Sequence, residues 1–416
     1  MKAVLVNLGC KVNKYELDSI ATILIENGYE VSYEHEKADL YVVNTCAVTN
    51  ESEKKSRQVV SKLIKLNPLS KVIVMGCASQ NSIEQFRKFD NVYSAIGIEN
   101  KQDILRLIDE SIYTVFDSTL EYNSITSPTT PATRAYLKVQ DGCNNFCNYC
   151  LIPYLRGRSR SRDINEVLVE AKKLAETSKE IVVVGIDLSS YKIDDRLALG
   201  DLLYSLRDLP SRIRIGSLEV GVITREFLEK ISGIPNLCPH FHLSMQSGCN
   251  TILKKMNRHY TKEEYLEKCA MMREYFPDCN ITTDIIVGFS DETIDEFNET
   301  VDTVRKARFG NIHIFPYSPR KGTVAYGFKN ITNDIRKSRV DLLEPIRDQL
   351  KMEYISSLHG TYTMLVEEIS GEYYTGYLEN YIKVYLPKSS HVSLNEFVRV
   401  SIVEPYMDGA IVKISN

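Results

Sequence analysis

The densest chemistry in the chain is Cys143-Asn-Asn-Phe-Cys147-Asn-Tyr-Cys150, a C-x3-C-x2-C run. Three thiolates this close suit iron, and they match three corners of a four-iron cubane while leaving one iron without a protein ligand. An open iron can take a substrate or cofactor. Structural zinc is the competing reading, but it wants four ligands, usually in C-x2-C pairs, and no fourth partner lies nearby. A second set is dispersed: Cys10, Cys46 and Cys77, each following an apolar run that predicts a strand. Beside each stands a small or polar neighbour, Gly9, Thr45 or Gly76, that would let backbone approach a bulky ligand. Strand ends of an open α/β sheet line one crevice, so thiols far apart in sequence can converge there. Packing is the alternative, because cysteine is a common buried residue. The rest of the ten cysteines, Cys238, Cys249, Cys269 and Cys279, have no ligand spacing and read as buried, inert thiols.

Holding these thiols in place requires a scaffold, and the hydrophobic pattern supplies one. Apolar runs at 2–7, 40–44, 71–75 and 92–96 predict buried strands, with helical spacing between them at 15–26, 52–65 and 83–89, and again at 103–110. That alternation implies a doubly wound parallel sheet over residues 1–117. Residues 118–133, rich in Ser, Thr and Pro, read as a linker. From 134 to 357 strands are expected at 135–140, 180–186, 212–218, 240–244, 281–287 and 311–315. Helices are expected at 164–177, 196–207, 225–231, 261–275 and 293–307, with a bridging helix at 333–357. Six βα units predict a partial (β/α)6 barrel whose ligands sit at the carboxyl ends of the strands. From 358 to 416 the texture changes to five short alternating stretches, the mark of a small all-β barrel. The expected fold class is therefore α/β: an N-terminal doubly wound sheet, a central partial barrel and a C-terminal all-β domain.

Of the 416 residues, 51 are Lys or Arg and 55 are Asp or Glu, a net charge of −4, so any grip on nucleic acid must be local. Hydrophobic content of 43% with 25% charged residues excludes wholesale disorder. No apolar run is long enough to span a bilayer, and the start, Met1-Lys2-Ala3-Val4-Leu5-Val6-Asn7, reads as a strand rather than a signal peptide. A soluble, cytoplasmic protein is expected, where thiols stay reduced and available to metals. Arg156, Arg158, Arg160 and Arg162 alternate with Gly157, Ser159 and Ser161. In an extended segment that period would project four guanidinium groups to one side, a row suited to RNA phosphates; a solvated basic loop is the alternative. The C-terminal segment offers Tyr362, Tyr373, Tyr374, Tyr377, Tyr381 and Tyr385 as aromatics, but only four basic residues against seven acidic ones.

Together the two cysteine sets resemble the radical S-adenosylmethionine methylthiotransferases. The motifs that carry the resemblance are Gly9-Cys10-Lys11-Val12-Asn13, Asn44-Thr45-Cys46, Gly76-Cys77, Val139-Gln140-Asp141-Gly142-Cys143 and the run through Ile152-Pro153-Tyr154. Met245-Gln246-Ser247-Gly248, Met256-Asn257-Arg258 and Phe315-Pro316-Tyr317-Ser318-Pro319-Arg320 extend it over nearly the whole chain. The resemblance implies an N-terminal methylthiotransferase domain at 1–117, a radical core at 134–357 and a TRAM domain at 358–416. It implies that Cys143, Cys147 and Cys150 hold the catalytic [4Fe-4S] cluster, which cleaves S-adenosylmethionine reductively. Cys10, Cys46 and Cys77 would hold an auxiliary [4Fe-4S] cluster that carries the sulfur. Contacts to S-adenosylmethionine are expected at the strand ends, from Gly185, Asp187, Ser217, Glu219, Gln246, Asp284 and Gly288. The family's Pro-Gly after Gly-Phe is replaced here by Ser290-Asp291, which changes the turn chemistry after Gly288.

Within that family, Gly9 to Asn13 and Ile152 to Arg162 look most like the branch acting on tRNA that carries N6-threonylcarbamoyladenosine in the anticodon stem-loop. That branch replaces the C2 hydrogen of the adenine with a methylthio group. The ring C2–H is neither acidic nor electrophilic enough for ordinary substitution, which is why a radical source and a separate sulfur source are both needed. The partners implied are tRNA, an electron donor such as flavodoxin or ferredoxin, and a sulfur donor, with no membrane. Sister branches act on isopentenyladenosine in tRNA or on an aspartate of a ribosomal protein. A rival of a different class is a non-catalytic RNA-binding protein with a structural zinc.

Overall fold

The computed structural model describes residues 1–115, 122, 125, 128 and 133–415, so the linker expected at 118–133 lies almost wholly outside the described residues. The chain divides into two compact units. One comprises Met1–Leu174, Val184–Asp195 and Ser318–Tyr326; the other comprises Ala175–Val183, Arg196–Tyr317 and Gly327–Asn416.

The first unit opens with β1 (Lys2–Asn7), α1 (Lys11–Glu26), β2 (Glu30–Ser32), β3 (Leu40–Thr45), α2 (Asn50–Leu66) and β4 (Lys71–Gly76). Short α3 (Cys77–Asn81) and α4 (Glu84–Arg87), then β5 (Val92–Ile96), α5 (Ile104–Asp109) and β6 (Tyr113–Thr114) follow. The six strands form a parallel sheet in the order β2-β1-β3-β4-β5-β6. Alternate side chains enter two cores. Ala3, Leu5, Val42 and Ile73 pack with Leu17, Ile20 and Leu24 of α1, while Val4, Val6, Val43 and Val74 pack with Val60 and Leu63 of α2. A sheet covered on both faces needs near-continuous apolar strands, which is why these runs lack polar alternation. Each fully buried Leu or Ile contributes about 1.5–3 kcal/mol. The first helix begins at Lys11 rather than 15, because Val12 already turns into the core at 2% exposure. The edge strand β2 escapes the pattern; it is three residues long and only partly buried.

Then come β7 (Arg134–Lys138), β8 (Gln140–Asp141), α6 (Ile152–Arg156), β9 (Arg160–Ser161) and α7 (Ile164–Thr177). β8 and β9 pair antiparallel, Gln140 opposite Ser161 and Asp141 opposite Arg160, so the segment between them closes on itself with the three clustered cysteines inside it.

The second unit continues the alternation with β10 (Glu180–Val184), β11 (Lys192–Ile193), β12 (Arg196–Leu197) and α8 (Leu199–Ser205). The helix expected from 196 starts later, since buried apolar residues begin only at Ala198 and Leu199. The strand expected at 212–218 is two pieces, β13 (Arg212–Ile215) and β14 (Ser217–Leu218), on either side of Gly216. β13 pairs with β10 and β14 with β15 (His240–Leu243), which α9 (Arg225–Ser232) precedes. After α10 (Asn250–Lys255) and α11 (Lys262–Tyr275), strands β16 (Asn280–Val287) and β17 (Asn311–Pro316) flank α12 (Ile294–Ala307). β14-β15-β16-β17 is a parallel sheet. Capping boxes, Thr261 with Glu264 and Thr293 with Glu296, start α11 and α12.

Helix α13 (Asn333–Ser357) leads to β18 (Thr361–Ser370), β19 (Tyr373–Leu378), β20 (Lys383–Pro387), β21 (Phe397–Tyr406) and β22 (Gly409–Ile414). These close a barrel, β18-β19-β20-β22-β21, around Met364, Val366, Leu378, Val384, Val400 and Val412. The barrel seats against the amino ends of the parallel strands. Glu180, fully buried, accepts from Arg212 Nε (2.5 Å) and Arg214 Nε (2.9 Å), and both arginines then donate to the carbonyls of Tyr377 and Glu379 (3.1 Å each). No helix among the described residues is long and apolar enough to cross a membrane.

Candidate active site

Cys10, Cys46 and Cys77 fall at the carboxyl ends of β1, β3 and β4. In the order 2-1-3-4-5, β1 and β3 flank the point where the winding reverses, the usual ligand crevice of such sheets. Local chemistry aims each thiol. Cys10 caps the start of α1 in an extended conformation, and its thiol donates to Asn13 Oδ1 at 3.1 Å. Asn13 and Asn44 clamp α1 to β3: Asn13 Nδ2 donates to Asn44 Oδ1 (2.7 Å) and Asn44 Nδ2 to the Asn13 carbonyl (2.9 Å). The Thr45 hydroxyl donates to the Met75 carbonyl (2.7 Å) and accepts from the Ser79 N–H (3.2 Å), tying the Cys46 turn to the Cys77 turn. Gly76 has φ +101, and a Cβ there would lie 2.4 Å from Asn44 Oδ1, so glycine is required for this approach. The three thiols feel one another electrostatically. Crowding by protein atoms pushes the Cys10 thiol up although the residue keeps exposed surface; Arg156 pulls it back down, and Cys77 raises it. Burial raises Cys46 as well, with Cys77 and Cys10 adding to the rise.

Beneath Cys10 lies a buried ionic cluster. Arg156 Nη1 donates to Glu16 Oε1 (3.0 Å) and Asp141 Oδ2 (3.0 Å), Lys138 pairs with both carboxylates (3.1 and 2.6 Å), and Lys101 pairs with Glu16. Burial alone would raise the two carboxyls, but Arg156 and the lysines outweigh it and hold both below the usual range.

The second triad is fixed by its own frame. Gln140, fully buried, donates from Nε2 to the Gly142 carbonyl (2.7 Å) and to Ser159 Oγ (3.0 Å), while its Oε1 accepts from the Asp187 N–H (2.7 Å). Gly142 has φ +73, and a Cβ would meet the Arg158 carbonyl at 1.9 Å. Backbone N–H groups of Asn145 and Ile152 point at the sulfurs of Cys143 and Cys150, 3.4 Å each, which favours thiolates. Cys143, whose thiol is otherwise pushed up to about 12 by burial, also feels Asp187, Cys150 and Cys147. Among the described residues, the His, Cys, Asp and Glu groups with three donor atoms within 4.8 Å of one another include His242, Asp284 and His313, but neither cysteine triad. Three thiols in one closed loop, with N–H groups aimed at two of the sulfurs, suit the soft three-point ligation of an iron–sulfur cubane.

The strand-end candidates divide. Gly185 and Asp187 border the Cys143 loop: the Asp187 carboxylate accepts from Asn145 Nδ2 (3.2 Å), and Gly185 leaves room for Gln140. In the second unit, the Gln246 N–H donates to the Asp284 carbonyl (2.8 Å), and Glu219 is paired with Arg258 (3.0 Å). Ser217 is exposed. Gly288 is buried under Arg336, whose Cγ lies 2.5 Å from the Cβ position, and its N–H bonds Glu292; the turn after it is completed by Ser290 at φ +54. The Asp284 carboxylate meets His242 Nε2 at 3.2 Å, and His242 Nδ1 lies 3.0 Å from the Thr282 hydroxyl, so these side chains share one polar face with His313 opposite Asp284 on β17.

The arginine row is not formed. Arg156 ends α6 with no exposed surface, and Arg160 is spent on the carbonyls of Arg156 (2.8 Å) and Arg158 (3.0 Å). Arg162 pairs with Glu170 (2.6 Å). Their guanidinium groups satisfy buried acceptors, so they cannot meet phosphates; Arg158 alone stays exposed, lying over the Phe146 ring at 4.3 Å. Sequence reading overlooked the roles of Glu16, Lys138 and Asp141. A signal existed, because Cys10, Asn13 and Glu16 recur every third residue and so share one helix face. It also left Arg320 without a role. That side chain donates to Asn50 Oδ1 (2.6 Å) and Glu53 Oε1 (2.5 Å), anchoring the start of α2 just beyond Cys46.

Comparison with known proteins matches residues 2–97 to a model described as an uncharacterized protein family, UPF0004, and residues 137–304 to the radical SAM superfamily. The chain is 35% identical to a threonylcarbamoyladenosine tRNA methylthiotransferase, MtaB, of Bacillus subtilis, over 98% of this chain and 95% of that protein. It is equally 35% identical to a tRNA-2-methylthio-N(6)-dimethylallyladenosine synthase of Thermoanaerobacter pseudethanolicus, over 87% and 81%. Among solved structures, the radical S-adenosylmethionine methyltransferase TsrM of Kitasatospora setae aligns with a TM-score of 0.53 at 14% identity, over 76% of this chain and 72% of that one, a likeness of fold. Two cysteine triads on this scaffold, and relatives of this identity over nearly the full length, establish that the chain belongs to the radical S-adenosylmethionine tRNA methylthiotransferases.

Proposed function

We propose that the enzyme installs a methylthio group at C2 of N6-threonylcarbamoyladenosine beside the anticodon, using S-adenosylmethionine and two [4Fe-4S] clusters. Cys143, Cys147 and Cys150 would hold the radical-generating cluster, and Cys10, Cys46 and Cys77 the sulfur-carrying one. The observation that carries this reading is the position of the second triad at three neighbouring strand ends, with Asn13 holding the Cys10 thiol and Thr45 tying the Cys46 turn to the Cys77 turn. When bound, the clusters supply one-electron reduction of S-adenosylmethionine and a site for sulfide. The protein's own part is orientation and dryness: Gln140 and Asp187 fix the Cys143 loop, while Asn13, Asn44 and Thr45 fix the other. We read residues 1–117, 134–357 and 358–416 as the methylthiotransferase, radical and TRAM domains. Arg158 is taken as a contact to RNA, flavodoxin or ferredoxin as electron donor, a separate sulfur donor as partner, and the cytoplasm as the place of work.

The threonylcarbamoyl group, unlike dimethylallyl, carries a carboxylate and a hydroxyl. The polar face of His242, Asp284 and His313 suits such groups better than an alkenyl chain. Nucleoside analysis of tRNA from a deletion strain tests the substrate. Loss of the 2-methylthio derivative of threonylcarbamoyladenosine is expected; loss of the dimethylallyl derivative instead would overturn the assignment. Anaerobic reconstitution should give brown protein with about eight irons per chain.

A further inference from the structure

Five charged side chains lie buried together under Cys10: Glu16 and Asp141 against Lys101, Lys138 and Arg156, each 6% exposed or less. Two carboxylates face three basic side chains (3 − 2 = 1 in excess) in a water-poor interior, where burial with Arg156 and Lys138 beside it makes Lys101 the weakest held of the three charges. Burying ions is costly, and apolar side chains of the same volume commonly serve stability as well or better. An unbalanced set therefore calls for an anion nearby. The surplus has a direction. Arg156 Nη2 reaches Asn13 Oδ1 at 3.4 Å, and that same oxygen accepts from the Cys10 thiol at 3.1 Å. One amide thus stands between the guanidinium and the sulfur. At Cys143 the contact is with a charge of the opposite sign, the Asp187 carboxylate, with Sγ and Oδ2 3.8 Å apart.

We propose that Arg156 is a positioning residue that, with Glu16 as its counterweight, sets the reduction potential of the cluster held by Cys10, Cys46 and Cys77 and leaves that of the Cys143 cluster nearly unchanged. The inference rests on the reading that the three dispersed cysteines hold a cluster. A thiolate-bound iron–sulfur cluster is anionic and gains one more negative charge on reduction, so a fixed cation in a low dielectric favours the reduced form. A guanidinium suits the task because it never loses its proton.

The test is a redox titration of the reconstituted full-length chain, followed by electron paramagnetic resonance. Each cluster is read alone by replacing the other triad with alanine. Arg156→Gln is expected to lower the midpoint of the Cys10/Cys46/Cys77 cluster by about tenfold in the reduced-to-oxidised ratio, about 59 mV for one electron. Glu16→Gln should raise it by a similar amount, and the double variant should return near the starting value. The Cys143 cluster should move by less than a third of that in every variant. Equal shifts at both clusters, shifts of the same sign for both substitutions, or no shift would overturn the proposal. If Arg156→Gln fails to fold, Arg156→Lys must hold the potential and Glu16→Gln must still raise it. About four irons per chain instead of eight would sink the underlying two-cluster reading; eight irons with unmoved potentials would sink this inference alone.

Discussion

At the scale of the residue, the proposed function divides the labour between the two triads, and single substitutions test that division. Cys147, 8% exposed, is the middle thiol of the Cys143 loop. Cys147→Ala is expected to abolish cleavage of S-adenosylmethionine, seen as loss of 5′-deoxyadenosine. Cys46→Ala should leave that cleavage running while methylthiolated tRNA falls below detection; retained product would refute the sulfur-site role. The ionic cluster under Cys10 predicts a pH response whose sign follows from its pKa directions. Burial raises Glu16 and Asp141, yet Arg156 and the lysines outweigh it, so both carboxyls stay below their usual range in the folded chain. A depressed carboxyl contributes stability above its unfolded pKa, about 4, and loses it as pH falls through the folded value. Cluster-free protein should thus lose stability from about pH 5 downward, and Glu16→Gln, already lacking that contribution at pH 7, should fall less steeply. Urea midpoints measured at pH 7, 5 and 3 check this, and parallel losses in the two proteins would refute it.

Elements hold the thiols in register through a few buried contacts from distant parts of the sequence. Arg320, 3% exposed, reaches Asn50 and Glu53 at the start of α2, and the Ser318 hydroxyl accepts from the Asn50 N–H at 3.2 Å. Thr49, which caps that helix, stands three residues beyond Cys46, so α2 sets where the Cys46 turn ends. Removing one partner of a buried pair costs roughly 3–5 kcal/mol, less where the other partner reaches water as Glu53 does. Arg320→Ala is expected to cost about 2 kcal/mol by that reasoning, to speed amide exchange in the first turn of α2, and to lower iron retention after reconstitution. The C-terminal barrel depends on a similar device. Glu180 neutralises Arg212 and Arg214 while they donate to carbonyls of β19 and the turn after it. Glu180→Ala takes from two buried guanidinium groups the carboxylate paired with both, leaving Glu379 as the nearby acid, and should destabilise this unit by roughly 3 kcal/mol. Its unfolding midpoint against that of Glu180→Gln measures the share owed to charge.

For the whole molecule, what sequence made legible was what recurs with a period. The apolar runs of β1, β3 and β4, the six-unit alternation and the five strands of the terminal barrel follow from burial on one face or two. What stayed hidden depends on partners far along the chain. Arg156 looked like one of four outward arginines because the period of two assumes extended backbone, whereas α6 carries its side chain to Glu16, 140 residues away. Arg320 and Glu53 are 267 residues apart and have no local signature. The same burial decides how RNA can be held. With Arg156, Arg160 and Arg162 sealed inside, Arg158 is the member of that row left to release counterions from tRNA. Arg158 is exposed, and its guanidinium lies on the ring of Phe146, which stands between Cys143 and Cys147 in the chain, where a phosphate or a base could meet it. Arg158→Ala should weaken binding of every tRNA alike and reduce the slope of log K against log salt by about 0.7, the share of one phosphate contact to single-stranded RNA. Filter binding across a salt series, on modified and unmodified tRNA, distinguishes the roles: an unchanged slope with selective loss for the modified tRNA would mean that Arg158 reads the base instead.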